Sequence, residues 1–183
     1  MTLTKTPICD FGRKAENFKL KSTDNKILSL EDIKGKKGTL IMFICNHCPY
    51  VKAVIQDIVS DCKELEKHGI NSVAICSNDV KNYPEDSFDK MIEFSKNHNF
   101  SFPYLHDETQ EVAKKYDAAC TPDFFIYNTD KQLVYRGQLD NSRPGNDVPV
   151  TGHDLRKAID SLIKGEEIDK NQKPSIGCNI KWK

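Results

Sequence analysis

The 183-residue sequence has no surplus charge of either sign, since 27 acidic residues balance 27 basic ones. Without a net field, bulk electrostatic capture of nucleic acid or of an anionic membrane is not expected. No apolar run approaches the length that spans a bilayer. The opening residues, Met1-Thr-Leu-Thr-Lys-Thr-Pro-Ile-Cys-Asp10, lack the apolar core of a secretory signal. These absences predict a cytoplasmic protein with neither a nucleic-acid nor a membrane partner. Repeats and low-complexity linkers are missing too. The expectation is therefore one domain over residues 1–183, with a core of about 10–165 and a polar tail over 166–183.

What the chain does have is cysteine. Seven stand at positions 9, 45, 48, 62, 76, 120 and 178. The number is odd, and a chain this long builds a core without needing disulfide staples, so several are expected as thiols.

The hydrophobic pattern alternates between periods. Residues 17–21 and 26–30 alternate across the polar turn Ser22-Thr23-Asp24-Asn25 and predict an N-terminal hairpin. Residues 39–44 read as a buried strand. After Pro49, Val51, Val54, Ile55, Ile58, Val59, Cys62 and Leu65 fall at helical spacing, and Gly69 ends that helix. A second core strand follows over 71–77, then helical segments over 84–98 and 109–116 around a short strand at 102–105. Asp107 or Thr109 is the cap of the latter helix. Residues 124–127 and 133–139 form a hairpin, and a last helix over 154–163 closes at Gly165. The order predicts an α/β fold, a central mixed sheet flanked by helices on both faces.

Within that frame, Ile44-Cys45-Asn46-His47-Cys48-Pro49-Tyr50 stands out. Pro49 suits the first helical position, which makes Cys48 the N-cap. A sulfur there meets free N–H groups and the positive end of the helix, and both favour the nucleophilic thiolate. Cys48 is therefore expected to be the most acidic thiol. Cys45 has the spacing of a dithiol partner but precedes the helix, and a resolving thiol inside the first turn would occupy position 51, which is Val51. His47 is a candidate proton shuttle or imidazolium partner. Cys62 and Cys76 read as core packing. Cys120 precedes Thr121-Pro122 at a bend, and Cys178 lies beside Gly177 on the tail. Arg136 and Arg143 are candidates for holding the thiolate or a substrate oxygen.

With Cys48 at a helix start and Thr121-Pro122 before a strand, the chain resembles the thioredoxin-like superfamily, in its redoxin, alkyl-hydroperoxide-reductase-like (AhpC/TSA-like) branch. The resemblance covers most of residues 10–165. It implies that Thr121-Pro122 is a cis peptide beside Cys48, that Cys48 is the attacking thiol, and that Cys120 lies close enough to participate. It further implies an oxidoreductase served by an external thiol reductant such as a thioredoxin-like protein. Its substrate would be a hydroperoxide or a protein or small-molecule disulfide, with no cofactor, in a monomer or homodimer. Typical peroxiredoxins carry proline and threonine seven and three residues before the reactive cysteine, where this chain has Ile41 and Cys45. Cys45 or Cys120 is expected to resolve Cys48 within the chain, with Cys178 as the outside candidate should the tail fold over the cleft or reach a partner subunit. Two other classes stand beside this reading: a redox-inactive interaction domain, and a metal or small-cofactor binder using Cys45, His47 and Cys48, closed by Cys178.

Overall fold

The computed structural model describes residues 2–183. The chain begins with β1 (Leu3–Lys5), β2 (Lys19–Ser22), β3 (Ile27–Ser29) and the one-turn helix α1 (Leu30–Ile33). β4 (Gly38–Phe43), α2 (Pro49–Lys67) and β5 (Ile70–Cys76) follow, then a 3-10 turn (Pro84–Asp86), α3 (Phe88–Asn97) and β6 (Tyr104–His106). The rest comprises α4 (Glu111–Lys115), β7 (Cys120–Thr121), β8 (Asp123–Tyr127), β9 (Leu133–Gly137), α5 (His153–Lys164) and β10 (Ile176–Asn179).

The main sheet has the order β3-β2-β6-β5-β4-β8-β9. β4 lies near its centre, parallel to β5 and antiparallel to β8. Every residue of β4 is buried, as a strand covered on both faces requires. Successive side chains alternate: Leu40 and Met42 join the apolar layer of α2, α3 and α5, while Ile41 and Phe43 join that of α1, α4 and Phe125. This is the mixed sheet with helices on both faces that the pattern predicts. α2 buries the same seven apolar positions that periodicity selects, and Gly69, at φ +80°, ends it in the left-handed region that glycine tolerates. The N-cap of α4 is Gln110, at φ 65°, and the Asp107 carboxylate reaches in from before it to accept from the Val112 and Ala113 N–H groups.

Two expectations are corrected. The segment 84–98 is not one helix. Asp86 is turned into the interior, Ser87 is extended at ψ 156°, and α3 starts only at Phe88. The polar tail over 166–183 is not outside the core either, since Cys178 and Ile180 are buried in it. Its residues 176–179 form β10, the middle strand of a second sheet of order β1-β10-β7. Period-two reading misses this because the strand is short and contains Gly177, and its partners come from both the N-terminal arm and the middle of the chain.

Candidate active site

β4 delivers the chain to the sheet's carboxyl edge, and after five intervening residues α2 begins. Cys48 is its N-cap, with extended backbone (φ −67°, ψ 121°) and Pro49 at the first helical position. The Cys48 side chain closes no cap hydrogen bond, but the Val51 N–H still faces its sulfur. Cys48 is fully buried.

Beyond the helix start, Cys178, Thr121 and Cys45 come up to the sulfur. Cys178 Sγ lies 2.9 Å away, far closer than two unbonded sulfurs ordinarily approach and longer than a covalent S–S bond of about 2.05 Å. The Thr121 carbonyl oxygen is at 3.3 Å, where it accepts from Cys48 in its thiol form. On the third side is Cys45, whose own sulfur is 3.5 Å from Thr121 Oγ1. The Thr121–Pro122 peptide is cis and forms this wall, as the resemblance implies.

The environment separates the thiols. A hydrogen bond from Cys45 is the largest influence drawing Cys48 down, to about 5; burial opposes it, while Cys178, the Thr121 hydroxyl and the Val51 N–H add to it. Cys45 moves the opposite way, well above an ordinary thiol, through the same hydrogen bond and its burial. Burial, followed by Cys48, pushes Cys178 up to about 12. With Cys48 ionised, Cys45 and Cys178 are thus the protonated donors. Cys62 and Cys76 are buried in the core and pushed up by desolvation, which leaves them as packing.

The turn before Cys48 is held by a residue from another segment. Fully buried Asp86 accepts from the Asn46 N–H at 2.8 Å and the His47 N–H at 3.3 Å through Oδ1. Its Oδ2 meets His47 Nδ1 at 2.6 Å and accepts from Asn78 Nδ2 at 2.8 Å. Burial alone would raise the Asp86 pKa, but the bonds from His47 and Asn78 leave it below the usual carboxylate value. Asp86 in turn holds the His47 imidazolium to higher pH. The ring faces Asp86 and stacks on Tyr83, so His47 positions the turn instead of bonding to the Cys48 sulfur.

The other expected site residues separate. Cys120 neighbours the site in sequence, but its sulfur contacts Thr6 Oγ1 at 3.8 Å and the Pro122 carbonyl at 3.7 Å, and burial raises its pKa. Cys120 therefore does not occupy the resolving position. Cys178 instead is the thiol brought to Cys48, because β10 pairs it opposite Thr121. Arg136 lies over the Phe125 ring on the sheet face opposite α2, bonded to the Asp117 carbonyl and 3.7 Å from Asp123. It does not hold the thiolate. Arg143 reaches a shallow groove lined by Tyr50, Val54, Pro122, Leu139 and Ile176, with its guanidinium committed to Gln138 and the Asp140 and Ser142 carbonyls.

The expected metal set also changes. One ligand atom each from Cys45, His47 and Asp86 lies within 4.8 Å of the others, without Cys48, and Cys178 meets Cys48 instead of closing that set. Both Asp86 oxygens are already engaged by donors of the chain, so this donor set fits a polar clamp on the turn better than a coordination site. Sequence reasoning missed the roles of Asp86 and Asn78, and noted Gly177 only as the neighbour of Cys178. Only Gly177-Cys178 leaves a local trace, a glycine directly before a thiol in a segment that resumes alternation at Ile180.

A buried cysteine at a helix start, facing a cis-proline wall at the edge of a mixed sheet, defines a thioredoxin-like redoxin. The chain belongs to the AhpC/TSA family, which it matches over residues 11–136. An uncharacterized conserved protein from Geobacillus kaustophilus has the same structure, at TM-score 0.98 and 49% identity over 100% of this chain and 97% of that one. The thioredoxin domain of a thiol-disulfide oxidoreductase from Bacteroides vulgatus shares the fold at TM-score 0.58 and 14% identity, covering 70% of this chain and 88% of that one. Among curated proteins, the thiol-disulfide oxidoreductase ResA of Bacillus subtilis (strain 168) is 28% identical over 123 residues, 67% of this chain. That match spans 64% of the ResA length.

Proposed function

We propose that the protein is a thiol-disulfide oxidoreductase in which Cys48 attacks and Cys178 resolves. The observation that carries this reading is the 2.9 Å approach of the two sulfurs at the start of α2. The Cys48 thiolate attacks one sulfur of a substrate disulfide, forming a mixed disulfide and releasing the other half as a thiolate, which takes up a proton. Cys178 then loses its proton and attacks the Cys48 sulfur. A Cys48–Cys178 disulfide forms and the second half of the substrate leaves as a thiol. An external thiol reductant restores both cysteines in a reducing, cytoplasmic setting.

Disulfide reduction is favoured over hydroperoxide reduction by what surrounds Cys48. Its neighbours are two thiols, the Val51 N–H, the Thr121 carbonyl and the Thr121 hydroxyl, which also meets Cys45. Arg136 is on the opposite face and Arg143 is committed to other acceptors, so neither guanidinium is directed at the sulfur to polarise a peroxide bond. The similarity to ResA supports the same choice.

The test compares the wild type with Cys48→Ser and Cys178→Ser, using glutathione disulfide and hydrogen peroxide as alternative substrates. Cys48→Ser should abolish disulfide turnover, and Cys178→Ser should stop after one equivalent with glutathione on Cys48. Peroxide consumed faster than disulfide by the wild type would overturn the choice of reaction. Unimpaired turnover by Cys178→Ser would overturn the resolving role.

A further inference from the structure

The Cys48–Cys178 approach joins two parts of the chain separated by 130 positions, and a single side chain connects their supports. Asn78 lies just beyond β5 and is buried. Its Nδ2 donates to Asp86 Oδ2 at 2.8 Å, and its Oδ1 accepts from the Lys181 backbone N–H at 2.8 Å. Asp86 holds the backbone of Asn46 and His47, the two residues before Cys48. Lys181 comes three residues after Cys178, and its carbonyl accepts from the Asp79 N–H and from Gln110 Nε2, each at 2.8 Å. The terminal strand is thus gripped at the end that the Asn78 segment faces.

We infer that Asn78 is a positioning residue for the resolving step, holding the Cys48 turn and the Cys178 strand in one frame so that the two sulfurs meet. The inference rests on Cys178 being the resolving thiol. The bridge needs a donor toward a carboxylate and an acceptor toward a backbone N–H on one short planar group, and asparagine supplies both. Aspartate would place a second carboxylate against Asp86, and alanine would leave a buried acceptor and a buried donor without this partner. Attack of one sulfur on another depends on alignment, so a small loosening of the strand lowers the effective concentration of Cys178 at Cys48. The same loosening uncovers Cys48, which is fully buried beneath this strand. The two steps therefore respond in opposite directions.

Stopped-flow reaction of the full chain with an aromatic disulfide separates them, because attack by Cys48 releases one chromophore and resolution releases the second. Asn78→Ala should leave the first phase as fast or faster and slow the second by about tenfold, with the mixed disulfide on Cys48 visible by mass spectrometry. Deleting residues 181–183 removes the other end of the same bridge. It should give the same split, and adding Asn78→Ala to it should change little. The deletion also serves as the test should Asn78→Ala fold poorly. A second phase unchanged in both variants, or both phases slowed in parallel, would overturn the positioning role. Cys178→Ser run alongside distinguishes the two failures: if its second phase persists, the resolving assignment is wrong, whereas if that phase is lost while Asn78→Ala behaves as wild type, only the role of Asn78 falls.

Discussion

Cys48 owes its character to three neighbours more than to its helix. Capping predicts a lowered pKa, and the structure agrees in direction, but the largest cause is the Cys45 thiol, with Cys178 and Thr121 adding to it. Cys45 is thus legible as relevant from its spacing while its role is not. It donates to the thiolate, and its own ionisation is suppressed. Ultraviolet absorbance of the thiolate should titrate near pH 5 in the wild type, and this transition should vanish in Cys48→Ser. Below that pH Cys48 is protonated and attack slows; above it the rate should be flat through neutrality. In Cys45→Ala the midpoint should move upward, because a donor to the charged form is lost. A midpoint near the ordinary thiol value of about 8.5 in the wild type would contradict the account.

At the scale of elements, the critical contact is between β7 and β10. Thr121 and Cys178 are opposite one another, and so are Cys120 and Asn179. The approach is close enough that a Cβ on Gly177 would lie 2.1 Å from the Thr121 carbonyl oxygen. That neighbour is backbone at the Thr121–Pro122 wall, with no flexible end to yield, so the strand itself must shift. Gly177→Ala should therefore cost about 1–3 kcal/mol of stability by overpacking. It should also separate the sulfurs, so that the mixed disulfide on Cys48 persists in a single-turnover assay. Chemical denaturation and mass spectrometry check the two parts. Resolution at the wild-type rate would show that the strand approaches Cys48 by another register.

At the scale of the whole molecule, β10 lies between β1 and β7, so residues near the two ends of the chain and its middle meet over Cys48. Oxidation of Cys48 and Cys178 would close a loop between positions 130 apart. Chain-entropy arguments put the ceiling on its stabilisation at about 5 kcal/mol. The oxidised protein should then melt higher than the reduced protein by on the order of 10 °C, a difference absent in Cys178→Ser. Calorimetry of both redox forms measures it.

The amino-acid order alone determines β4, α2, β5 and the α/β alternation, because long runs with clear period announce themselves locally. It also determines that Cys48 sits at a helix start, since cysteine followed by proline after a buried strand has few other placements. Tertiary structure alone decided which thiol meets Cys48. Cys120 is near the wall in sequence but turns its sulfur toward Thr6, while Cys178, on a polar tail, is carried in by β10. The same holds for Asp86, which reads as a first-turn residue of a helix over 84–98, and for Asn78, just past the strand over 71–77, until folding buries both beside the turn. Side-chain period records which face of an element is apolar. It carries no record of which distant segment will supply the hydrogen bonds that a buried turn requires, and those bonds are what position the sulfurs.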